Sequence, residues 1–305
     1  MTTVENDSAP RARRSPLPYV LIVPAVVALG LALGYPLVRQ VLLSFQEFGL
    51  RQQFGNPPEW VGLENYRELV TDPYLWKVTL RSIVFCLVNA AVTMAIGVAL
   101  ALLMQHMSKG IRILVQAGLL LAWAMPVVAA LTVWQWLFDT QYGVVNWALN
   151  TISGTDDWTN HSWLLNPWSF FFVLTIIVVW QGIPFVAFTT YAALGQVPGE
   201  VLEAAALDGT TGFKRFRFVV FPYLRSVLLV ILVLQIIWNL RIFTQVYALQ
   251  SRGGIASETN VLGTYMFRQG PGDFGFTSAI GVVMVLLLLV LSWGYVRSTL
   301  KEEEL

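Results

Sequence analysis

The strongest constraint on this chain is a series of apolar blocks, each roughly 20 residues or longer, the length at which a helix crosses the hydrocarbon core of a bilayer. Six such blocks can be drawn: Pro18–Phe45, Val78–Gln105, Ile111–Phe138, Trp168–Gln196, Tyr223–Leu249 and Phe276–Val296. Lipid offers no partners to open backbone groups, so each block is predicted to be a helix. The expected fold class is an all-α polytopic membrane protein with six transmembrane helices. Pro24, Pro36, Pro126 and Pro184 fall inside the spans and predict kinks. Kinked, interrupted helices suit a transporter better than a passive anchor. The first block follows Arg11, Arg13 and Arg14, as a signal peptide would, but it is too long for an h-region and more spans follow it. It reads as an uncleaved first helix.

Composition agrees. Of 305 residues, 56% are hydrophobic and only 12% charged, with a net charge of +1 and a mean hydropathy of +0.63. That excludes a disordered chain and a nucleic-acid binder driven by net charge. The single cysteine, Cys86, lies inside an apolar block and cannot form an internal disulfide. His106 and His161 have no ligand-type neighbour at metal spacing and read as polar residues at membrane edges.

The Lys and Arg count sets orientation. Eleven lie on one side: Arg11, Arg13 and Arg14 in the tail, Lys109 and Arg112 between spans two and three, Lys214, Arg215, Arg217 and Arg225 around the 4–5 connection, and Arg297 and Lys301 after the last span. Five (Arg51, Arg67, Lys77, Arg252 and Arg268) lie on the other, spread over longer loops, while Arg39, Arg81 and Arg241 lie within or at the ends of spans. Both termini are therefore predicted to be cytoplasmic. The expected organisation is a cytoplasmic tail over residues 1–17, a six-helix domain over 18–300 with a projecting cytoplasmic segment at 198–222, and a short cytoplasmic tail at 301–305. The outer loops, about 46–77 and 139–167, are rich in Trp, Tyr and acidic residues. They fit interfacial aromatic belts and short surface helices. Docking of an external partner would use similar surfaces, and composition does not separate the two.

Several chemistries lack their residues. No G-x-x-x-x-G-K-[ST] string occurs, so nothing in the sequence is built to cradle nucleotide phosphates. There is no H-E-x-x-H, no Ser/His/Asp set, and no Asp or Glu well inside a span. Intramembrane enzymes and ion-coupled transporters both need ionisable groups at depth. Their scarcity points to a neutral solute and to an energy source outside this chain.

The 4–5 connection, GQVPGEVLEAAALDGTTGFKRFRFVVFPYLRSVL over residues 195–228, is the most informative stretch. Pro198 and Gly199 end the preceding helix. Residues 200–207 then form a short amphipathic helix with Val201, Leu202 and Ala205 on one side, and Asp208-Gly209 makes a turn. Such a segment fits a lever that receives force from a soluble partner. It fits equally a basic connector held inside by its charge.

The string Glu203-Ala204-Ala205, three residues, Gly209, nine residues, then Val219-Val220-Phe221-Pro222 resembles the EAA motif of permease subunits in bacterial binding-protein-dependent ABC importers. Val219 and Phe221 depart mildly from that pattern. EAAALDG with a following basic and aromatic stretch is similar to the sugar-importer branch, as are Pro24, Tyr35-Pro36, Ser44-Phe45 and Gly62-Leu63-Glu64-Asn65-Tyr66. The resemblance covers about residues 18–300 and implies the permease core of the maltose- and methionine-importer type. It implies a coupling helix that seats in an ATPase cleft, with Glu203 in contact, Ala204 and Ala205 permitting close packing, and Asp208 and Gly209 shaping the turn. The implied partners are a second homologous permease, two ATPase subunits and an extracytoplasmic sugar-binding protein, in a bacterial plasma membrane. No cofactor is expected on this chain, since ATP and Mg would sit on the partner ATPases, which makes it a non-enzymatic subunit.

Buried polar residues are costly in a membrane and are candidate pathway groups. Span four offers Gln181, Gly182 and Phe185 beside Pro184, and span five offers Gln235, Trp238 and Asn239. Gln235 and Asn239 are four apart and share a helix face. Amides suit sugar hydroxyls and aromatic rings suit sugar faces, although interhelical hydrogen bonding would use the same residues. By the resemblance, Gln235, Asn239, Gly182 and Phe185 fall where a maltose-importer permease places its sugar contacts. Asn89, Trp123, Gln135 and Gln245 are weaker candidates, and Arg241 fits either an outer vestibule or a contact with the sister permease. The segments LAWAMPVVAALTVWQWLF, GVVNW and WQGIPFVA resemble actinobacterial permeases for chitobiose-type oligosaccharides. Three rivals remain: an ABC importer for glycerol phosphate or a polyamine, an ion-coupled secondary transporter, and a membrane scaffold.

Overall fold

The computed structural model describes residues 17–303, so the tail with Arg11, Arg13 and Arg14, and the last two residues, lie outside the described residues. The first span is built from α1 (Leu17–Leu29), a π-helical turn (Gly30–Gly34) and α2 (Tyr35–Leu43). Helix α1 continues through Pro24, and Pro36 falls in the first turn of α2, where its missing N–H is tolerated. The widened turn, rather than a sharp kink, absorbs the change of phase. None of the most apolar stretch of this span is buried within the chain.

A small cap follows. Strands β1 (Gln46–Glu47) and β2 (Glu59–Trp60) pair antiparallel, Gln46 opposite Trp60, around the single-turn helix α3 (Leu50–Gln53). Helix α4 (Glu64–Thr71) is pinned to the cap by buried Asn65, whose Nδ2 donates to the carbonyls of Ser44 at 2.9 Å and Gln46 at 3.0 Å. Asp72 caps α5 (Pro73–His106) by accepting from the Tyr74 N–H at 2.8 Å, with Pro73 in the first turn. The expected second span therefore starts a turn further out than its apolar block.

Helices α6 (Lys109–Ala124) and α7 (Val127–Leu137) meet at a 102° bend around Met125-Pro126. The expected third span is thus a broken element rather than a kinked one. Helix α8 (Val144–Ser153) lies in the 139–167 loop, and α9 (Pro167–Leu194), capped by Asn166, runs unbroken through Pro184. The 198–222 segment comprises α10 (Gly199–Leu207), α11 (Gly212–Arg215) and a π-helical turn (Phe216–Val220) leading into α12 (Phe221–Leu240). The fifth span was expected to be continuous, but it breaks at 241–243 before resuming as α13 (Thr244–Gln250). Helices α14 (Ala256–Thr259) and α15 (Leu262–Gln269) precede α16 (Phe274–Glu303).

Four helical runs are long and apolar enough to cross a membrane, five if the bent α6–α7 pair is one span. The sixth expected span corresponds to α16, whose described apolar part, Phe274–Val290, is shorter. The chain is therefore a mostly helical polytopic protein, and the six-span expectation is met only in part.

Three apolar clusters hold it together. Phe170, Leu174 and Ile177 of α9 pack with Val246 and Leu249 of α13 and Leu131 of α7. Deeper along α9, Val186 and Leu194 meet Ala101 of α5 and Leu224, Leu228 and Ile231 of α12. Val78 of α5, Tyr265 of α15 and Ile280 of α16 form the third. Lipid is as apolar as these side chains, so close packing rather than water exclusion supplies the attraction between spans. Gly97 illustrates it: a Cβ there would lie 2.6 Å from Val186.

Candidate functional site

A polar-lined cavity lies beside the break in span five. Helix α12 contributes Gln235, Trp238 and Asn239 near its end, the 241–243 break contributes Arg241, Ile242 and Phe243, and α13 contributes Thr244 and Gln245. Helix α9 supplies Gln181, Gly182 and Phe185, and the α6–α7 bend brings Trp123 and Val127 alongside. The open cavity is about 530 Å³, within the range of small-ligand sites.

All six pathway residues predicted from the sequence line this one cavity. Phe185 and Trp238 meet edge to face, with ring centroids 5.0 Å apart. Gln245 Nε2 donates to Gln181 Oε1 at 3.2 Å, tying α13 to α9. Gln235 is 3% exposed and Asn239 5%, yet Gln235 Nε2 and Asn239 Nδ2 have no hydrogen-bond partner among the described residues. An unpaired buried amide costs about 1–3 kcal/mol. Both residues lie on one helix face beside the cavity, with these two nitrogens turned into the protein. Gly182 keeps the approach open, since a Cβ there would sit 2.8 Å from Thr93 Cγ2 and 3.4 Å from Gln235 Oε1.

The weaker candidates divide. Trp123, Gln245 and Arg241 line the cavity. Gln135 does not: its Nε2 donates to the Ala248 carbonyl at 3.0 Å, a contact between α7 and α13. Asn89 is fully buried on α5 with Nδ2 donating to the Phe85 carbonyl at 2.7 Å and Oδ1 unpaired. Thr93, one turn further along, was missed from sequence; its Oγ1 is also buried without a partner. Its only signal was a hydroxyl at the spacing of one helical turn from Asn89. His106 Nδ1 lies 2.9 Å from the Leu102 carbonyl, and His161 is packed edge-on between Trp158 and Trp163, so neither reaches the cavity.

The second site is the 198–222 segment. Ala205 is buried against the body of the chain, with Val201 and Leu202 half-buried beside it, while Glu203, Ala204 and Asp208 are exposed and Leu207 is 90% exposed. Of the two alanines, only Ala205 packs within this chain, and Ala204 belongs to the open face. The helix ends in a Schellman arrangement: the Gly209 N–H donates to Ala206 O at 3.1 Å and the Thr210 N–H to Ala205 O at 3.0 Å. Gly209 takes φ +72°, a region that L side chains adopt at a cost, which explains glycine after Asp208. One face of α10 is thus anchored and the other, bearing Glu203, is free.

Comparison with known proteins adds the family. Residues 73–298 match the model for the binding-protein-dependent transport system inner membrane component. The diacetylchitobiose uptake system permease protein DasB of Streptomyces coelicolor is 43% identical over 289 residues, 94% of this chain and 88% of that protein. The trehalose/maltose transport system permease protein MalF of Thermococcus litoralis is 29% identical over 287 residues, covering 93% of this chain and 94% of that one. A chain in the crystal structure of a bacterial alginate ABC transporter, in complex with an alginate pentasaccharide-bound periplasmic protein, superposes with a TM-score of 0.77 at 20% identity, covering 92% of each chain. That likeness establishes the fold.

Proposed function

This chain belongs to the binding-protein-dependent transport system inner membrane components, and on that premise we propose that it is a pathway subunit of an ATP-driven importer for a neutral di- or oligosaccharide. The observation that carries this reading is the convergence of Gln181, Gly182, Phe185, Gln235, Trp238 and Asn239 on one cavity with two unpaired buried amides. Amide hydrogens and aromatic faces are complementary to the oxygens and the apolar face of a sugar ring. Identity to the diacetylchitobiose permease favours an oligosaccharide of that kind.

In this reading residues 18–300 form the permease domain with both termini cytoplasmic. The free face of α10, bearing Glu203 and Ala204, seats in a cleft of an ATPase subunit, and Ala205, Asp208 and Gly209 fix the shape of the helix and its turn. A second permease completes the pathway, two ATPase subunits hold ATP and Mg, and an extracytoplasmic binding protein delivers the sugar. ATPase closure moves α10, and α10 moves α12 through the π-helical turn 216–220, so the cavity alternates between outward-open and inward-open states. A polyamine importer is disfavoured by Arg241 in the cavity wall, since like charge there repels a cationic solute.

The test is reconstitution of the assembled complex with its binding protein and a panel of sugars. Stimulation of ATP hydrolysis by one or more loaded sugars supports the proposal. Stimulation only by a phosphate ester, or by no solute, rejects it.

A further inference from the structure

We propose that Arg112 and Tyr191 form a clamp that carries the movement of α10 to α6, and so to the cavity wall, as a second route beside the one through α12. The assignment rests on the lever reading of α10 and goes beyond it by naming two positioning residues. Arg112 lies near the start of α6, and three contacts place its guanidinium. Nη1 donates to the Tyr191 hydroxyl on α9 at 3.0 Å, and Nη2 donates at 2.8 Å to the carbonyl of Met107, the residue that ends α5. The Arg112 Cζ also lies 6.0 Å from the centre of the Tyr191 ring. Nε is buried as well, so the group is enclosed between the helices rather than spread over the surface. A guanidinium presents its donors as a rigid planar fork, which lets it hold two acceptors at once. One side chain therefore fastens α6 to both α5 and α9.

Helix α6 has few other fastenings. None of its described residues is buried, and none belongs to the three apolar clusters. Close packing is what holds spans together in lipid, so a helix with no buried residue is free to follow whatever grips it. Tyr191, by contrast, packs against the second apolar cluster, as do Leu202 of α10 and Phe216 of the π-helical turn. Packed interiors have few voids to absorb a displacement, so a shift of α10 reaches Tyr191 through that shared packing. The chain between them is short and held: the Gln196 N–H donates to the Ala193 carbonyl at 3.0 Å, and Val197 is buried. Tyr191 then pulls on Arg112 at one end of α6. At the other end of this 16-residue helix, about 24 Å away, Trp123 lines the cavity and the 102° bend leads into α7.

The test uses the full complex with its binding protein in proteoliposomes and compares wild type, Tyr191→Phe, Arg112→Lys and the double variant. Tyr191→Phe removes only the hydroxyl, and Arg112→Lys keeps the charge without the fork. The readouts are sugar uptake per ATP hydrolysed, which does not depend on how much complex assembles, and the unfolding temperature of the complex. Each single variant should lower uptake per ATP by about fivefold, the worth of one hydrogen bond. The double variant should fall no further than the singles, because both residues act through one contact. An unchanged ratio in Tyr191→Phe overturns the clamp, and a lowered unfolding temperature beside it assigns the pair to helix packing. Losses that multiply in the double variant also overturn it, since the two residues then act separately. If Arg112→Lys does not assemble, the ratio in Tyr191→Phe decides alone. All of these outcomes leave the lever reading standing so long as wild-type uptake requires ATP, whereas wild-type uptake that does not require ATP overturns both.

Discussion

Asn239 and Gln235 set the cost of a buried amide against the recognition proposed for it. Each buries an amide that the chain leaves partly unpaired, a cost that folding accepts only where something else offsets it. Replacing Asn239 with Ala removes the unpaired donor, so assembly should be unharmed. Sugar-dependent ATP hydrolysis should need about tenfold more sugar for half-stimulation, as expected for one lost hydrogen bond in a dry site. Titrating the variant complex with sugar checks this; an unchanged half-point would place Asn239 in helix packing instead. These two residues were legible in the sequence because amides four apart in an apolar run stand out. Thr93 was not, since a threonine hydroxyl in a membrane helix usually turns back onto its own backbone and gives no pattern. Gln135 was misjudged because its partner, the Ala248 carbonyl, lies 113 residues away and only the fold brings it near.

Helix α10 depends on its ends. Pro198 opens it and the Gly209 turn closes it, and both were legible because Pro and Gly act locally through allowed backbone angles. Gly209→Ala forces a Cβ into φ +72°, which costs about 1–2 kcal/mol. The expected result is a frayed α10 and weaker ATPase attachment, read as loss of ATPase subunits on gel filtration of the complex. Glu203→Ala leaves the helix intact because Glu203 sits on the exposed face. It should instead lower the uptake obtained per ATP hydrolysed, measured as the ratio of the two rates in proteoliposomes. An unaltered ratio together with intact assembly would remove Glu203 from the coupling role.

The break between α12 and α13 was illegible for the opposite reason. Arg241-Ile242-Phe243 contains neither Gly nor Pro. The cause is tertiary: Gly263 lets α15 approach so closely that a Cβ there would lie 2.8 Å from the Ile242 carbonyl, and Gln245 is held by Gln181. Pro126 did signal a disturbance in span three, but a proline specifies where a helix yields and not that neighbours will bend it by 102°.

Across the chain, the end that carries the start of α5 is fastened by a polar lattice that ties α5 to the segments after α13. Gln250 Nε2 donates to Thr259 and Asn260, Arg268 donates to Gln250 Oε1, and Asn260 Nδ2 donates to the Tyr74 hydroxyl. The Tyr265 hydroxyl donates to Asp72 at 3.0 Å, and burial pushes its pKa up to about 12. A folded pKa above the unfolded value of about 10 means the contribution is fully present below about pH 10 and is lost as pH rises toward the folded value. Tyr265→Phe should therefore lower the unfolding temperature of the complex by the same few degrees between about pH 6 and about pH 9, a loss of about 1 kcal/mol. A difference that grows across that interval would show that the tyrosine ionises earlier. The apolar blocks and the EAA-like string made the membrane class and the family legible early, because both are properties of contiguous sequence. This lattice was hidden, since its members sit on short helices and at helix ends, with partners up to 193 positions away.

The central claim is that the energy for transport reaches this chain from partner ATPases through α10. It is tested most directly by loading proteoliposomes with the full complex and following sugar uptake with ATP inside and ion gradients abolished. The prediction is uptake that requires ATP, scales with loaded binding protein and collapses in the Glu203→Ala complex while ATP hydrolysis persists. Uptake driven by an ion gradient through this chain without ATPase subunits would contradict it.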